Sequence, residues 1–227
     1  MLPASGAAQE PPPQAAPTNL QVLPKDWTRR QVVEVMRTFT AALGVRCSDC
    51  HAEDDDASDE KEMKQIARAM LRMSMAINDT YLAALPDRDE PALRVTCITC
   101  HRGVAHPEPI EAILRRTIEE SGVDAALQRY GELRERYYGA FAYDFTDRPL
   151  VSLGDGLAAG NPDAARRMLE MSLELNPRSG LTLFGLARLS DAANDKDKAI
   201  EYYRRGLEIM PNNAQAQRRL RELTGGA

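Results

Sequence analysis

The apolar residues of the N-terminal half recur at the spacing of amphipathic helices. The pattern predicts one helix over residues 28–43, with Gly44 as its C-terminal stop. The apolar stripe of this helix consists of Val32, Met36, Phe39 and Leu43. After an acidic loop, a second and longer helix is predicted from a cap at Ser58 or Asp59 to about residue 85. Its stripe consists of Met63, Ile66, Met70, Met73 and Ile77.

The C-terminal part of the chain contains an internal repeat, preceded by helices predicted over residues 109–120 and 124–138. A shift of 34 residues places Ala165 on Ala199, Leu173 on Leu207, Glu174 on Glu208 and Pro177 on Pro211. This period resembles the tetratricopeptide repeat (TPR). The second copy is closer to that motif, with packing residues at Leu186, Ala187, Ala199, Tyr203, Gly206 and Pro211. Because no alternating strand pattern of useful length occurs, we predict an all-α fold.

Composition and charge narrow the class of protein. The formal net charge of -5 argues against nucleic acid or an anionic membrane surface as a partner. No run of about 18 apolar residues occurs, so no transmembrane segment is predicted. Aromatic residues make up only 5% of the chain, so its core would need another source of apolar bulk. Residues 1–25 are rich in Pro and Ala and predict a disordered leader, without the pattern of a signal peptide.

All four cysteines fall in two copies of the motif Cys-x-x-Cys-His. The copies are Cys47, Cys50, His51 and Cys97, Cys100, His101. Two thiols three residues apart reach the two vinyl groups on one edge of a porphyrin and form thioethers. The adjacent imidazole then lies beneath the iron as its proximal ligand. The sequence therefore predicts two covalently attached haems c.

Three other uses of paired cysteines compete with haem attachment. Disulfides are possible in an oxidising compartment but would not require a histidine after each pair. A zinc site made from both pairs would need them closer, whereas 46 residues lie between Cys50 and Cys97. A thioredoxin-like redox pair expects a βαβ setting, which the pattern does not predict.

The distal iron ligands must mostly be methionine, water or nothing, because the chain has only three histidines and two of them are proximal ligands. The third, His106, follows the second motif and is interpreted as an exposed loop residue. Met36 precedes the first motif on an apolar stripe, and Met70 and Met73 share the stripe of the second predicted helix. The alternative is that these methionines only fill core space. Three arginines beside the motifs are candidate partners of haem propionates: Arg46, Arg94 and Arg102.

Several segments between residues 19 and 103 resemble, in order, half of the four-haem cytochrome subunit of photosynthetic reaction centres. They are Met36-Arg37-x-Phe39, Ala57-Ser58-Asp59-x-Lys61, Met70-Leu71-x-Met73-Ser74-x-x-Ile77-Asn78 and Val95-Thr96-Cys97-x-Thr99-Cys100-His101-Arg102-Gly103. In that family each haem module is a helix that carries a methionine ligand, then a turn, then the attachment motif. The resemblance implies that Met36 ligates the haem of His51 and that Met70 ligates the haem of His101, with Met73 as the alternative. Only one pair of such modules is present here.

These observations predict a specific organisation and function. We expect a leader at 1–25, a two-haem cytochrome c domain at 26–106, connecting helices at 107–147 and a TPR-like stack at 148–227. The predicted function is electron transfer, without catalysis, between redox partner proteins in the periplasm or outside the cell. The repeats are expected to dock a partner or a second copy of the chain. The alternatives are a two-haem peroxidase-like enzyme and an assembly or scaffold protein that acts through its repeats.

Overall fold

The computed structural model describes residues 16–86 and 92–225, and these residues form helices without a strand. The all-α prediction is confirmed. The helices are α1 (Arg29–Leu43), α2 (Cys47–Cys50), α3 (Glu62–Ala76), a π-helix (Ile77–Leu82), α4 (Cys97–His101), α5 (Ile110–Tyr137), α6 (Arg148–Leu157), α7 (Pro162–Leu175), α8 (Gly180–Ala192), α9 (Lys196–Ile209) and α10 (Ala214–Thr224). The chain divides into two compact units between Pro107 and Glu108. The greater part of the predicted leader, residues 1–15, lies outside the described residues.

Helix α1 begins and ends where its sequence signals predict. The Thr28 hydroxyl accepts a hydrogen bond from the backbone N–H of Gln31, and the Gln31 side chain accepts one from the backbone of Thr28. This reciprocal cap satisfies two N–H groups that the first turn leaves without partners. At the other end Gly44 adopts the left-handed conformation with φ 66°, and its N–H donates to the Thr40 carbonyl. Such a C-cap is favourable for glycine because it has no Cβ.

The end of α1 packs directly on the backbone after α4. The N–H of Gly103 donates to the carbonyl of Ala42 at 2.7 Å. A Cβ atom on Gly44 would lie only 2.1 Å from the carbonyl oxygen of Gly103. This close approach joins the helix that leads into the first Cys-x-x-Cys-His motif to the segment that leaves the second.

We expect Gly44→Ala to destabilise the first unit by more than about 1–3 kcal/mol. The change places a side chain in a left-handed conformation and also drives it into backbone that cannot move aside. The measurement is chemical denaturation of the full-length protein as isolated from its host. Gly103→Ala is the matched control, because Gly103 also has a positive φ of 91° but open space around its Cβ position. Equal losses in the two variants would contradict the steric argument.

Helix α3 begins later than the sequence pattern predicts. Its N-cap is Lys61, without a side-chain cap, so the predicted cap at Ser58 or Asp59 is wrong. The Asp59 carboxylate instead pairs with Arg68 at 2.8 Å and with Lys64 at 3.5 Å. After Ala76 the helix widens into the π-helix, which ends at Leu82.

Helix α5 opens the second unit and belongs to its core. Gly122, with φ 85° and ψ 174°, interrupts α5 between the two segments that were predicted as separate helices. Side chains from both segments pack with α6 and α7 around a cluster that includes Ile110, Leu114, Tyr130, Leu153 and Met168. The segment predicted as connecting helices, 107–147, is therefore continuous with the helices that follow it.

Helices α6 to α10 stack through small residues at equivalent positions of the repeat. Ala165 on α7 and Ala199 on α9, related by the 34-residue shift, are both fully buried. Gly206 on α9 lies so close to the Phe184 ring on α8 that a Cβ would meet it at 2.4 Å. Small side chains thus let the helices approach each other closely and bury a continuous core.

Candidate cofactor-binding sites

The first Cys-x-x-Cys-His motif forms a single helical turn, α2. The backbone N–H of Arg46 donates to the carboxylate of Asp49 at 2.7 Å, which closes the start of the turn. At its end the N–H of His51 donates to the carbonyl of Cys47 at 2.9 Å. Both thiols and the imidazole are therefore carried on one turn.

The ring of His51 is oriented by the acidic loop that follows it. Its Nδ1 lies 2.9 Å from the backbone carbonyl of Asp56. Because a carbonyl can only accept, Nδ1 must carry the proton, which leaves the lone pair of Nε2 free to bind a metal. Lys64 Nζ donates to the same carbonyl at 2.9 Å and to that of Ser58 at 2.7 Å, and so holds the loop in place.

The second motif repeats this arrangement on α4. The N–H of Thr96 donates to the Thr99 hydroxyl at 3.0 Å and starts the turn. Nδ1 of His101 lies 3.0 Å from the carbonyl of Val104, so this imidazole also presents an unprotonated Nε2. The chain that enters α4 is held by Asn78, whose side-chain amide exchanges two 2.8 Å hydrogen bonds with the backbone of Val95.

A cavity of about 770 Å³ adjoins the first motif. The structure brings together in its wall Met36 of α1 and all three residues of the motif, Cys47, Cys50 and His51. Apolar side chains complete much of the lining: Val32, Phe39, Leu43, Leu20 and Leu71. The volume lies within the range of about 300–1,000 Å³ that is typical of cofactor pockets, and a predominantly apolar wall with few polar groups is what such a ligand requires. The residues of this site therefore fit a haem.

Basic side chains line the same cavity and could bind the carboxylates of such a cofactor. Arg29 already pairs with Asp56 at 3.2 Å. Arg37 and Arg46 also line the cavity, and neither makes an ion pair within residues 16–86 and 92–225. The predicted propionate partner Arg46 therefore lies beside the first motif, and Arg37 is an additional candidate. Arg94, Arg102 and His106 are exposed.

Helix α3, which precedes the second motif in the chain, carries an exposed apolar stripe. Met63, Ile66, Met70 and Met73 are 38%, 41%, 45% and 50% exposed. Met70 and Met73 lie one helical turn apart on this stripe. Exposed apolar side chains in such a row are unusual on a protein surface and mark a place where something else binds.

One thiol of each motif, Cys50 and Cys97, lacks the electrostatic character of a reactive cysteine. Burial raises the pKa of Cys50 and, at the second motif, that of Cys97. Redox-active and metal-binding cysteines usually have a lowered pKa, since the thiolate is the reactive form. No disulfide joins the four cysteines of the two motifs. Among the described residues no cluster of three or more His, Cys, Asp or Glu is arranged to hold a metal ion.

Several residues that shape the first site were missed by the sequence patterns. Lys61 donates to the carbonyl of Ser48 at 2.5 Å, and Asn19 donates to the carbonyl of Ala57 at 2.6 Å. Asn78 was noticed only as part of a matching segment. A polar residue at the end of an apolar stripe is a weak signal, and its partner backbone becomes visible only in three dimensions.

Both parts of the chain match known protein families. A sequence model described as "Photosynthetic reaction centre cytochrome C subunit" matches residues 3–145, and a tetratricopeptide repeat model matches residues 156–223. Both resemblances predicted from the motifs are thereby confirmed. Cytochrome c-554 of Chloroflexus aurantiacus is 37% identical over 84 residues. The match covers 37% of this chain but only 20% of that relative's length. No helix in residues 16–86 or 92–225 is long and apolar enough to cross a membrane.

Proposed function

We propose that this chain, which belongs to the photosynthetic reaction centre cytochrome c subunit family, carries two haems c and passes single electrons between protein partners outside the cytoplasm. Family membership supports a c-type cytochrome electron carrier with covalently attached haem. The number of haems rests on one observation. Both Cys-x-x-Cys-His turns present the same imidazole geometry, with Nδ1 bonded to a backbone carbonyl three or five residues later.

At the first site, the chain would supply covalent anchors, two iron ligands and an apolar wall. Cys47 and Cys50 would form the thioethers, and His51 would bind the iron through Nε2. Met36 is the candidate for the second iron ligand, because it lies in the wall of the same cavity. A haem held by His and Met supplies a low-spin one-electron iron couple of raised potential. No axial position would remain for a substrate, which favours electron transfer over peroxidase chemistry.

At the second site, Cys97, Cys100 and His101 would play the same roles. The exposed stripe on α3 is our candidate for the apolar surface of this site, because a bound haem would remove these side chains from water. Met70 is our candidate ligand and Met73 the alternative. Asn78 would position this site, because it holds the backbone of Val95 two residues before the first anchor.

Mass spectrometry of the denatured protein tests the haem count. We expect the mass of the polypeptide plus two haems, because thioethers survive denaturation. Replacing Cys97 and Cys100 with alanine should reduce the added mass to one haem, and replacing all four cysteines should abolish it. A wild-type mass equal to that of the bare polypeptide would contradict the proposed function, and an added mass of one haem would contradict the second site.

The repeat unit is proposed to dock a protein partner or a second copy of the chain. Its helices form a groove of about 460 Å³ between α8 and α10. The largely buried rings of Phe184 and Tyr203, 3% and 5% exposed, form the floor of this groove, and the side chains of Arg188, Arg218 and Gln215 also line it. Aromatic and arginine side chains are the residues most often enriched where proteins bind one another. The periplasm or the extracellular space is the proposed location.

A further inference from the structure

Residues 16–23, here called the strap, form part of the wall of the first cavity. Every residue from Ala16 to Leu23 lines that cavity. Leu20, Val22 and Leu23 are each half-buried. The strap is not helical, so its position depends on contacts with other parts of the first unit.

One carboxylate joins the strap to two other segments. Asp59 accepts hydrogen bonds from the side-chain amides of Asn19 at 2.9 Å and Gln21 at 3.1 Å. The same carboxylate pairs with Arg68 of α3 at 2.8 Å. Arg68 in turn donates to the backbone carbonyl of Asn19 at 3.3 Å. Asp59, Arg68 and Asn19 thus form a closed set of contacts, here called the latch.

The burial of Arg68 and the charge of Asp59 distinguish the latch from an ordinary surface ion pair. Arg68 is only 9% exposed, and a buried guanidinium without its carboxylate would be costly. Hydrogen bonds from Asn19 and the ion pair with Arg68 lower the pKa of Asp59 to about 2, so it stays ionised at any physiological pH. Asn19 adopts a left-handed backbone conformation with φ 60°, its side chain donates to Asp59, and its carbonyl accepts from Arg68.

We infer that the latch holds the strap over the first haem and thereby excludes water from it, so that Asp59, Arg68 and Asn19 are positioning residues for its reduction potential. This inference rests on the proposed function, because it requires a haem in the first cavity. Apolar residues around a haem disfavour the ferric state, which carries one more positive charge than the ferrous state. Release of the strap would admit water, stabilise the ferric state and lower the potential of that haem alone.

Asn19→Gly is the informative variant. Glycine retains the left-handed backbone of residue 19 without strain, yet it removes the amide that binds Asp59 and Ala57. In the full-length haem-loaded protein we expect the amides of residues 18–23 to exchange hydrogen roughly tenfold faster, as local opening becomes easier. One of the two reduction potentials should fall and the other should stay unchanged. Asn194→Gly is the matched control, since Asn194 has nearly the same backbone, φ 58°, in the second unit.

Asp59→Asn distinguishes release of the strap from the direct effect of a lost negative charge on the haem. Loss of a negative charge near a haem raises the reduction potential by itself, so the hydrogen-exchange rate of the amides of residues 18–23 is the decisive readout for this variant. It should rise as in Asn19→Gly. Asp54→Asn removes a charge from the same loop, at a residue that lines the first cavity, but Asp54 makes no ion pair or hydrogen bond among the described residues. It should leave the exchange rate unchanged.

Two outcomes overturn the inference. Unchanged exchange in both Asn19→Gly and Asp59→Asn would show that the latch does not hold the strap. Faster exchange in Asn19→Gly with both potentials unchanged would show that the strap does not cover a haem. The mass of the wild-type protein separates these results from a failure of the proposed function. A chain without covalent haem contradicts that function, whereas either outcome above can occur in a chain that carries its haems.

Discussion

Replacement of Met36 by leucine should convert one of the two irons to a partly high-spin state that binds carbon monoxide. Leucine has nearly the same volume and helix propensity, so the packing cost should stay below about 1.5 kcal/mol. If Met36 is a ligand, however, the iron loses its sulfur bond and the axial position opens. The reduction potential of that haem should fall, since the methionine ligand raises it. The checks are the optical spectrum in both oxidation states and a carbon monoxide titration of the Soret band.

The controls for Met36 lie on the other long helix of the first unit. Met75 is 44% exposed, lies off the apolar stripe of α3 and does not line the first cavity, so Met75→Leu should leave both haems unchanged. Met70→Leu should open the other iron, and Met73→Leu should do so instead if Met73 is the ligand. A spectrum of Met36→Leu identical to the wild type would refute the assignment and leave Met36 as a core residue.

Without haem, the second unit should fold and the first should not. Of the buried apolar side chains in the described residues, only Ala42 and Val104 belong to the first unit, whereas the three core clusters all lie between residues 110 and 223. A unit that buries so little apolar surface cannot offset the conformational entropy of its chain. The macrocycles would supply the missing surface in the first unit.

Calorimetry of the variant in which all four cysteines are alanine tests this expectation. We expect one cooperative transition with an unfolding enthalpy of roughly 80 kcal/mol near 60 °C, which corresponds to the second unit alone, instead of roughly 160 kcal/mol for a fully folded chain. A fragment of residues 108–227 should melt in the same transition. Two transitions, or the full enthalpy in the absence of haem, would contradict the argument.

The residues that would attach and bind the haems were predictable from the sequence. The residues that surround them were predictable only in part. Cys47, Cys50 and His51 are adjacent in the chain, so one helical turn presents them together wherever the motif lies. Met36 was identified through its stripe and a family resemblance, and the structure brings it into the same cavity wall as the motif. The latch was not predictable, because Asn19 and Asp59 are 40 residues apart and no local pattern links them.

The prediction for the start of α3 shows why local signals sometimes fail. Ser58 and Asp59 are good N-cap residues, and the pattern placed the cap there. The Asp59 carboxylate has a stronger set of partners in Arg68, Lys64 and Asn19, so the helix begins after Lys61 without a side-chain cap. The ion pair between Asp59 and Arg68 is therefore more stabilising than an N-cap by the Asp59 side chain, which would contribute about 1 kcal/mol.

Helix periodicity, the two Cys-x-x-Cys-His motifs and the 34-residue repeat were determined by the sequence alone, since each depends on residues that are neighbours along one helix or one turn. The tertiary structure decided the features that depend on distant segments. It packed Gly44 against Gly103, joined α5 to the core of the repeats and placed the strap along the first cavity. These contacts follow from shape and from the pairing of buried polar groups in three dimensions, which spacing along the chain does not encode.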